Sequence, residues 1–280
     1  MTTVVADTSS TRSLVSRSSV GGGFLGLLRA EWVKIVSVRS TLWALLLMLV
    51  ASVGAAVAAS AVTVAGWDSA SGESRAKVTA DPLATIFSAF GVAELIVCVL
   101  GVLVITSEYS SSTIRASVLA VPRRTPVLAA KAAAFGLLTL AAGELTALAS
   151  FFAGSAILQE HAPVALGDPE VLRVVLGSGL FLAAMGLFAL GIGALVRHTA
   201  GAVAGVLGFL LVLAPLAGSL PASGGQAAAA YLPSNAGQLI VFAHPDPDAV
   251  LTPWLGLGVC ALWSVAVLAL ASVLFKRRDV

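Results

Sequence analysis

Six stretches of this chain are each apolar for about 20 residues or more, the length a helix needs to cross the roughly 30 Å hydrocarbon core of a bilayer. They run from about 41–65, 83–106, 127–158, 171–196, 199–220 and 250–275 of the 280 residues. A strand with open edges would leave backbone groups unpaired in lipid, so it is excluded. A membrane barrel would alternate apolar and polar residues, and these runs do not. Helix is the expected conformation throughout. Only the short break at Arg197-His198 separates the fourth and fifth runs, which demands a tight helical hairpin.

Composition points the same way. Hydrophobic residues make up 58% of the chain, charged residues only 11%, and mean hydropathy is +1.00. A soluble domain carries about 25% charge, and no long segment here is polar enough to form one. The net charge of +2 is too small to suggest nucleic acid. Cys98 and Cys260 lie inside apolar runs, which argues against a disulfide framework or a metal site. The first apolar run begins too late and is too long for a signal peptide, so it is expected to be a retained span. Residues 1–20 are rich in Ser and Thr and have no apolar periodicity. They are expected to be a disordered cytoplasmic tail ahead of one transmembrane domain over 21–280.

Basic residues set the topology. With the N-terminus inside, 13 of the 16 Lys and Arg residues fall on the inner side, and only Arg75, Lys77 and Arg173 fall outside. The outer connectors are acidic instead, with Asp68, Glu73, Asp81, Glu160, Asp168, Glu170, Asp246 and Asp248. The expectation is a multi-pass protein of the plasma or inner membrane with both ends in the cytoplasm.

Three connecting segments carry more than charge. Ahead of the first span, Phe24, Leu25, Leu28, Trp32, Ile35 and Val36 form one helical stripe flanked by Arg29 and Lys34. This predicts a helix lying in the cytoplasmic interface; the alternative is an ordinary basic flank. Between the second and third spans, Ser107–Pro126 offers cap residues, then Ile114, Val118 and Val121 at helical spacing, a stop at Pro122, and Arg123-Arg124. That pattern suits a short cytoplasmic helix that docks a partner, or a solvated basic loop. The last outer connector, Pro221–Ala249, is long, and Ala227–Leu232 and Gln238–Phe242 are its candidate re-entrant or interfacial helices.

Glu94, placed near the middle of the second run, and Glu144, inside the third, must be protonated, paired or facing a wet cavity. They are candidates for an intramembrane polar site. Lys131 and Arg173, near span ends, are expected to snorkel. Gly201 and Gly205 form a GxxxG match extended by Gly208, and Gly186, Gly191 and Gly193 give a small-residue face on the fourth span. These suit close packing of the fourth and fifth spans, or contact with a second copy. No phosphate-binding loop, HExxH or GxSxG pattern occurs. The chain is not expected to be an enzyme or to hold a cofactor of its own.

The segments Arg29-Ala30-Glu31-Trp32-Val33-Lys34 and Ser37–Trp43 resemble the N-terminus of ABC-2 type transporter permease subunits. These are common as separate genes in actinobacteria. Thr106-Ser107-Glu108-Tyr109, Thr113-Ile114-Arg115, Pro122-Arg123-Arg124 and Lys131 resemble the family's first cytoplasmic loop, and Tyr231–Gly237 its segment before the last span. The resemblance covers most of the chain from about residue 22. It implies six helices, an N-terminal interfacial connecting helix bearing Glu31, Trp32 and Lys34, and a coupling helix between spans two and three. It also implies a separate ATP-binding subunit, holding ATP and Mg, that contacts Glu108, Thr113, Ile114, Arg115, Arg123 and Arg124. A second permease copy would complete the transport path. Two other readings compete with this one. A self-contained ion-coupled transporter or channel would use Glu94 or Glu144. A membrane-embedded enzyme or structural protein has no recognisable catalytic set to support it.

Overall fold

The computed structural model describes residues 23–110, 124–219, 223–244 and 249–277. Among them there are helices and turns but no strand. Six helices are long and apolar enough to cross a membrane: Arg39–Ala65, Phe90–Tyr109, Pro126–Leu158, Pro169–Val196, Thr199–Ala217 and Pro253–Leu274. The chain is an all-α, multi-pass membrane protein, an architecture that fits a membrane transporter in general.

In chain order the helices are α1 (Phe24–Ser37) and α2 (Arg39–Ala65), then α3 (Gly72–Ala80) and α4 (Pro82–Ile86). Next come α5 (Phe90–Ser110), α6 (Arg124–Leu158) and α7 (Pro169–Val196). α8 (Thr199–Gly208) passes through a π-helical stretch, Phe209–Leu213, into α9 (Ala214–Gly218). The chain ends with α10 (Ser223–Ala230), α11 (Pro233–Gln238) and α12 (Pro253–Arg277). The spans are α2, α5, α6, α7, α8–α9 and α12.

α7 is the central post, packed by α5, α6 and α12. Phe181, Met185 and Leu190 on it are buried, as is Phe135 from α6. Glycines set how near the helices come. A Cβ built on Gly101 would overlap the carbonyl oxygen of Gly186 and lie 3.1 Å from the Leu190 nitrogen. Several interior hydroxyls satisfy themselves on their own helix: Thr106 on Val102, Thr139 on Phe135 and Ser178 on Val174. In a medium without water this keeps those three paired, whereas Ser52, Ser60 and Ser150 have no partner among the described residues. The exposed Leu46, Leu47 and Val50 of α2 and Leu211, Val212 and Leu213 of the fifth span are the surface such a bundle offers to lipid. Pro215 has no N–H for the helix ladder, and the π stretch lies immediately before it.

The fold differs from the sequence reading in three places. The second apolar run is not one helix. Pro82 opens the short α4, turns follow it, and the span itself begins at Phe90. The short helices of the last outer connector are Ser223–Ala230 and Pro233–Gln238, shifted from the expected Ala227–Leu232 and Gln238–Phe242. Pro233 accounts for part of the shift, because it is favoured at a helix start. The glycine face of α8 does not pack onto the fourth span: a Cβ on Gly205 or Gly208 would meet nothing within 4 Å. Gly186 faces α5 and α6 instead, Gly193 faces α5, and Gly191 faces α12.

The two ends of the bundle differ in charge. One end gathers α1, the start of α6 and the ends of α5, α7 and α12, with Ile35, Leu100, Leu190 and Ala271 in one cluster. It carries Arg29, Lys34, Arg39, Lys131 and Arg197. At the opposite end His244 lies 3.7 Å from Asp81 and 3.6 Å from Glu170.

Candidate functional site

Val38 is extended (φ −81°, ψ 112°), which breaks the helix between α1 and α2 and lets α1 lie along α6. α6 has 35 residues. At 1.5 Å each it is about 52 Å long, well beyond the hydrocarbon thickness. Its first turns therefore extend past the apolar core, and α1 packs there. Leu28, Glu31 and Ile35 recur at three- and four-residue spacing and share one face of α1. Glu31 and Ile35 are buried.

Four charged side chains from three helices close a ring on that face. The Lys131 ammonium, on a residue 2% exposed, donates to Glu31 Oε2 and, at 2.8 Å, to Glu108 Oε1. Lys34 Nζ donates to Glu31 Oε1 at 2.5 Å and to Glu108 Oε1 at 3.3 Å. The charges alternate around the ring and cancel, which is what makes ionised groups tolerable in a buried setting. Partial burial works against the Lys34 charge. Its hydrogen bond with Glu31 and the charges of Glu108 and Glu31 outweigh that, and hold its pKa above the ordinary 10.5. Lys34 is thus cationic at neutral pH.

The neighbouring residue, Tyr109, extends the linkage. Arg197 lies over its ring at 5.3 Å. Arg197 closes α7 in the left-handed conformation (φ 60°), which turns the chain into α8. The end of α5 thus touches the ring through Glu108 and the α7–α8 hairpin through Tyr109.

Of the residues singled out in the sequence, the structure brings Glu31, Lys34 and Glu108 together. Trp32 is 39% exposed and outside the ring. Thr113, Ile114, Arg115 and Arg123 lie outside the described residues, and Arg124 is the first residue of α6. Lys131 does not snorkel, because two carboxylates from other helices reach it where it stands. Arg173, partly exposed near the start of its span, donates from Nη2 to the Ala243 carbonyl at 2.6 Å and ties down the last outer connector. The sequence did hold a signal for Lys131. It is a lone cation in an apolar run, and Glu31 is a lone anion on the apolar face of α1.

Glu94 and Glu144 stand apart from the ring and from each other. Because α5 begins at Phe90, Glu94 lies near the acidic end of its span and not at mid-span. It is 3% exposed. Its Oε2 accepts from Gln238 Nε2 at 2.8 Å, and Gln238 also donates to Ser234 at 3.3 Å. Glu94 thereby anchors α11, which is wedged so tightly that a Cβ on Gly256 would overlap the Ala236 carbonyl. Replacing Gln238 with Leu removes one side-chain donor from Glu94. The expected cost is about 1–3 kcal/mol, checked by thermal unfolding in detergent against the wild type. Glu144 lies across the α6–α7 contact, its Oε1 2.5 Å from where a Cβ on Gly179 would stand. Among the described residues, Glu94 Oε1 and Glu144 Oε2 have no hydrogen-bond partner.

No protein-family model matches this chain, and no curated protein matches it in sequence.

Proposed function

We propose that this chain is the permease subunit of an ABC-2 type transporter, moving its substrate outward at the expense of ATP hydrolysed, with Mg, on a separate subunit. One observation carries the reading. The ring of Glu31, Lys131, Glu108 and Lys34 fastens α1 to the end of α5 and the start of α6, the two helices that flank residues 111–123. A push on that connecting segment would reach α1 and two spans together, which is what a docking loop for a motor subunit requires. In this reading the ring end is cytoplasmic, the chain is N-in and C-in, and it lies in the plasma or inner membrane. A second copy, or a related permease, completes the path. Glu108 is turned into the ring, so its part is to transmit contact from Thr113, Ile114, Arg115, Arg123 and Arg124.

The test is co-purification with a phosphate-loop ATPase and measurement of substrate-stimulated hydrolysis. Ile114→Glu or Arg115→Glu is expected to abolish the stimulation while leaving membrane insertion intact. Unchanged stimulation in both variants overturns the reading.

The unpartnered oxygens of Glu94 and Glu144 favour a second reading, an ion-coupled transporter working alone. Gradient-driven transport by the purified chain in vesicles, lost in Glu94→Gln, would establish that reading in place of the first.

A further inference from the structure

Beside the ion ring lies a half-open cavity of about 740 Å³, bounded by the facing ends of α1, α2, α5, α6 and α8. One part of its wall is apolar: Ile35, Val38, Leu100, Leu103 and Val104. The other part is built of hydrogen-bonding groups: Lys34, Ser40, Thr41, Ser107 and Thr199, backed by Glu108 and Lys131. The volume is in the range of small-molecule pockets. It is too small for a whole diacyl lipid, and takes a headgroup with the upper part of one chain.

We infer that this cavity holds an anionic phospholipid, its phosphate beside Lys34 and Ser40-Thr41 and the upper part of one acyl chain along Leu100, Leu103 and Val104. Four observations converge on that occupant. The two carboxylates at the site are already engaged by Lys131 and Lys34, so they do not present an open negative charge. Of the charged side chains that line the cavity, Lys34 and Lys131 stand against Glu108, a net positive balance. The first turns of two helices, α2 at Ser40-Thr41 and α8 at Thr199, line the cavity and add their positive dipole ends. Leu103, on the apolar wall, is 39% exposed and so continuous with the surface the bundle offers to lipid. A basic pocket between spans at headgroup depth is the setting in which anionic lipids are recognised. The site lies between α1 and span two, so an occupant braces the ring from its open side. Nothing in this inference requires ATP, and it stands or falls apart from the transport reading.

The test uses the full purified chain in detergent, titrated with phosphatidylglycerol, with phosphatidylcholine, or with glycerol 3-phosphate. The readouts are thermal unfolding and native mass spectrometry of retained lipid. Phosphatidylglycerol is expected to stabilise the chain and stay bound, with phosphatidylcholine needing about fivefold more for the same effect, as one basic contact to an anionic lipid implies. Leu103→Trp, which fills the cavity, is expected to remove the response to phosphatidylglycerol while leaving the lipid-free midpoint in place. Lys34→Gln is expected to erase the preference between the two lipids, and Lys34→Arg to keep it. This pair decides the matter even where Leu103→Trp folds poorly. Equal stabilisation of the wild type by both lipids would mean ordinary annular lipid and overturns the inference. So does a match to phosphatidylglycerol by glycerol 3-phosphate alone, which would mark a free-anion site. An unchanged preference in Lys34→Gln overturns it as well.

Discussion

Lys131→Met is expected to destabilise the protein by about 3–5 kcal/mol, the usual cost of removing one partner from a buried ion pair. The Lys131 side chain is 3% exposed, that of Glu31 4% and that of Glu108 11%, so neither carboxylate gains much from water. Lys34 remains, but its side chain is 40% exposed and already shared between both acids. The loss should be local as well as global. α1 is held to α6 on this face, so its amides are expected to exchange with solvent much faster in Lys131→Met while those of α7 change little. Thermal unfolding gives the first quantity and hydrogen exchange the second. Adding Glu31→Gln to Lys131→Met removes one of the two carboxylates left facing the single Lys34 charge and should recover part of the loss, the sign expected for directly coupled residues. A cost of only about 0–1 kcal/mol, typical of exposed ion pairs, would show that the ring is open to water.

The second large effect comes from a single methyl group. Gly101→Ala places a Cβ on top of the Gly186 carbonyl oxygen and 3.1 Å from a backbone nitrogen of α7. Both neighbours are main chain, so neither can rotate away, and α5 must part from the central post. The expected cost is about 1–3 kcal/mol, at the upper end because the helix cannot yield locally. Gly205→Ala is the matched control. Its Cβ meets nothing within 4 Å, and the change is expected to be neutral or to stabilise by roughly 0.5–1 kcal/mol through helix propensity. Unfolding midpoints of the two variants in the same detergent should therefore move in opposite directions.

How far the sequence carries depends on the range of the interaction. The spans were legible because crossing lipid is a requirement of length and apolarity, and both are local. The start of the second span was not, because Leu83 to Ala89 is apolar whether it continues the helix or, as here, breaks from it. Glu94 was misplaced along its helix for that reason alone. The small-residue face of α7 was legible as a face, but which neighbour it receives depends on how the helices are arranged, and that is not written in its spacing. The ring was half visible. Glu31 and Lys34 are three residues apart, as a helical pair requires, whereas Lys131 reaches Glu31 across 100 positions of chain. Opposite charges stranded in separate apolar surroundings are the trace such a pairing leaves in a sequence. Read together, they would have found it.

α6 runs unbroken from Arg124 to Leu158. At its crossing with α7, a Cβ on Gly143 would lie only 3.1 Å from the Gly179 Cα. A tilt of α6 would turn about that close approach. Arg124 is about 28 Å away along the rod and Leu158 about 22 Å. A pivot of roughly 5° would carry either tip about 2 Å, in opposite directions, a displacement of the size that shifts packed interfaces between discrete states. Near the far tip, Gly154 abuts Ile86 of α4. A tilt begun beside Lys131 would thus be delivered, reversed in sense, to the short helices on the other side of the membrane.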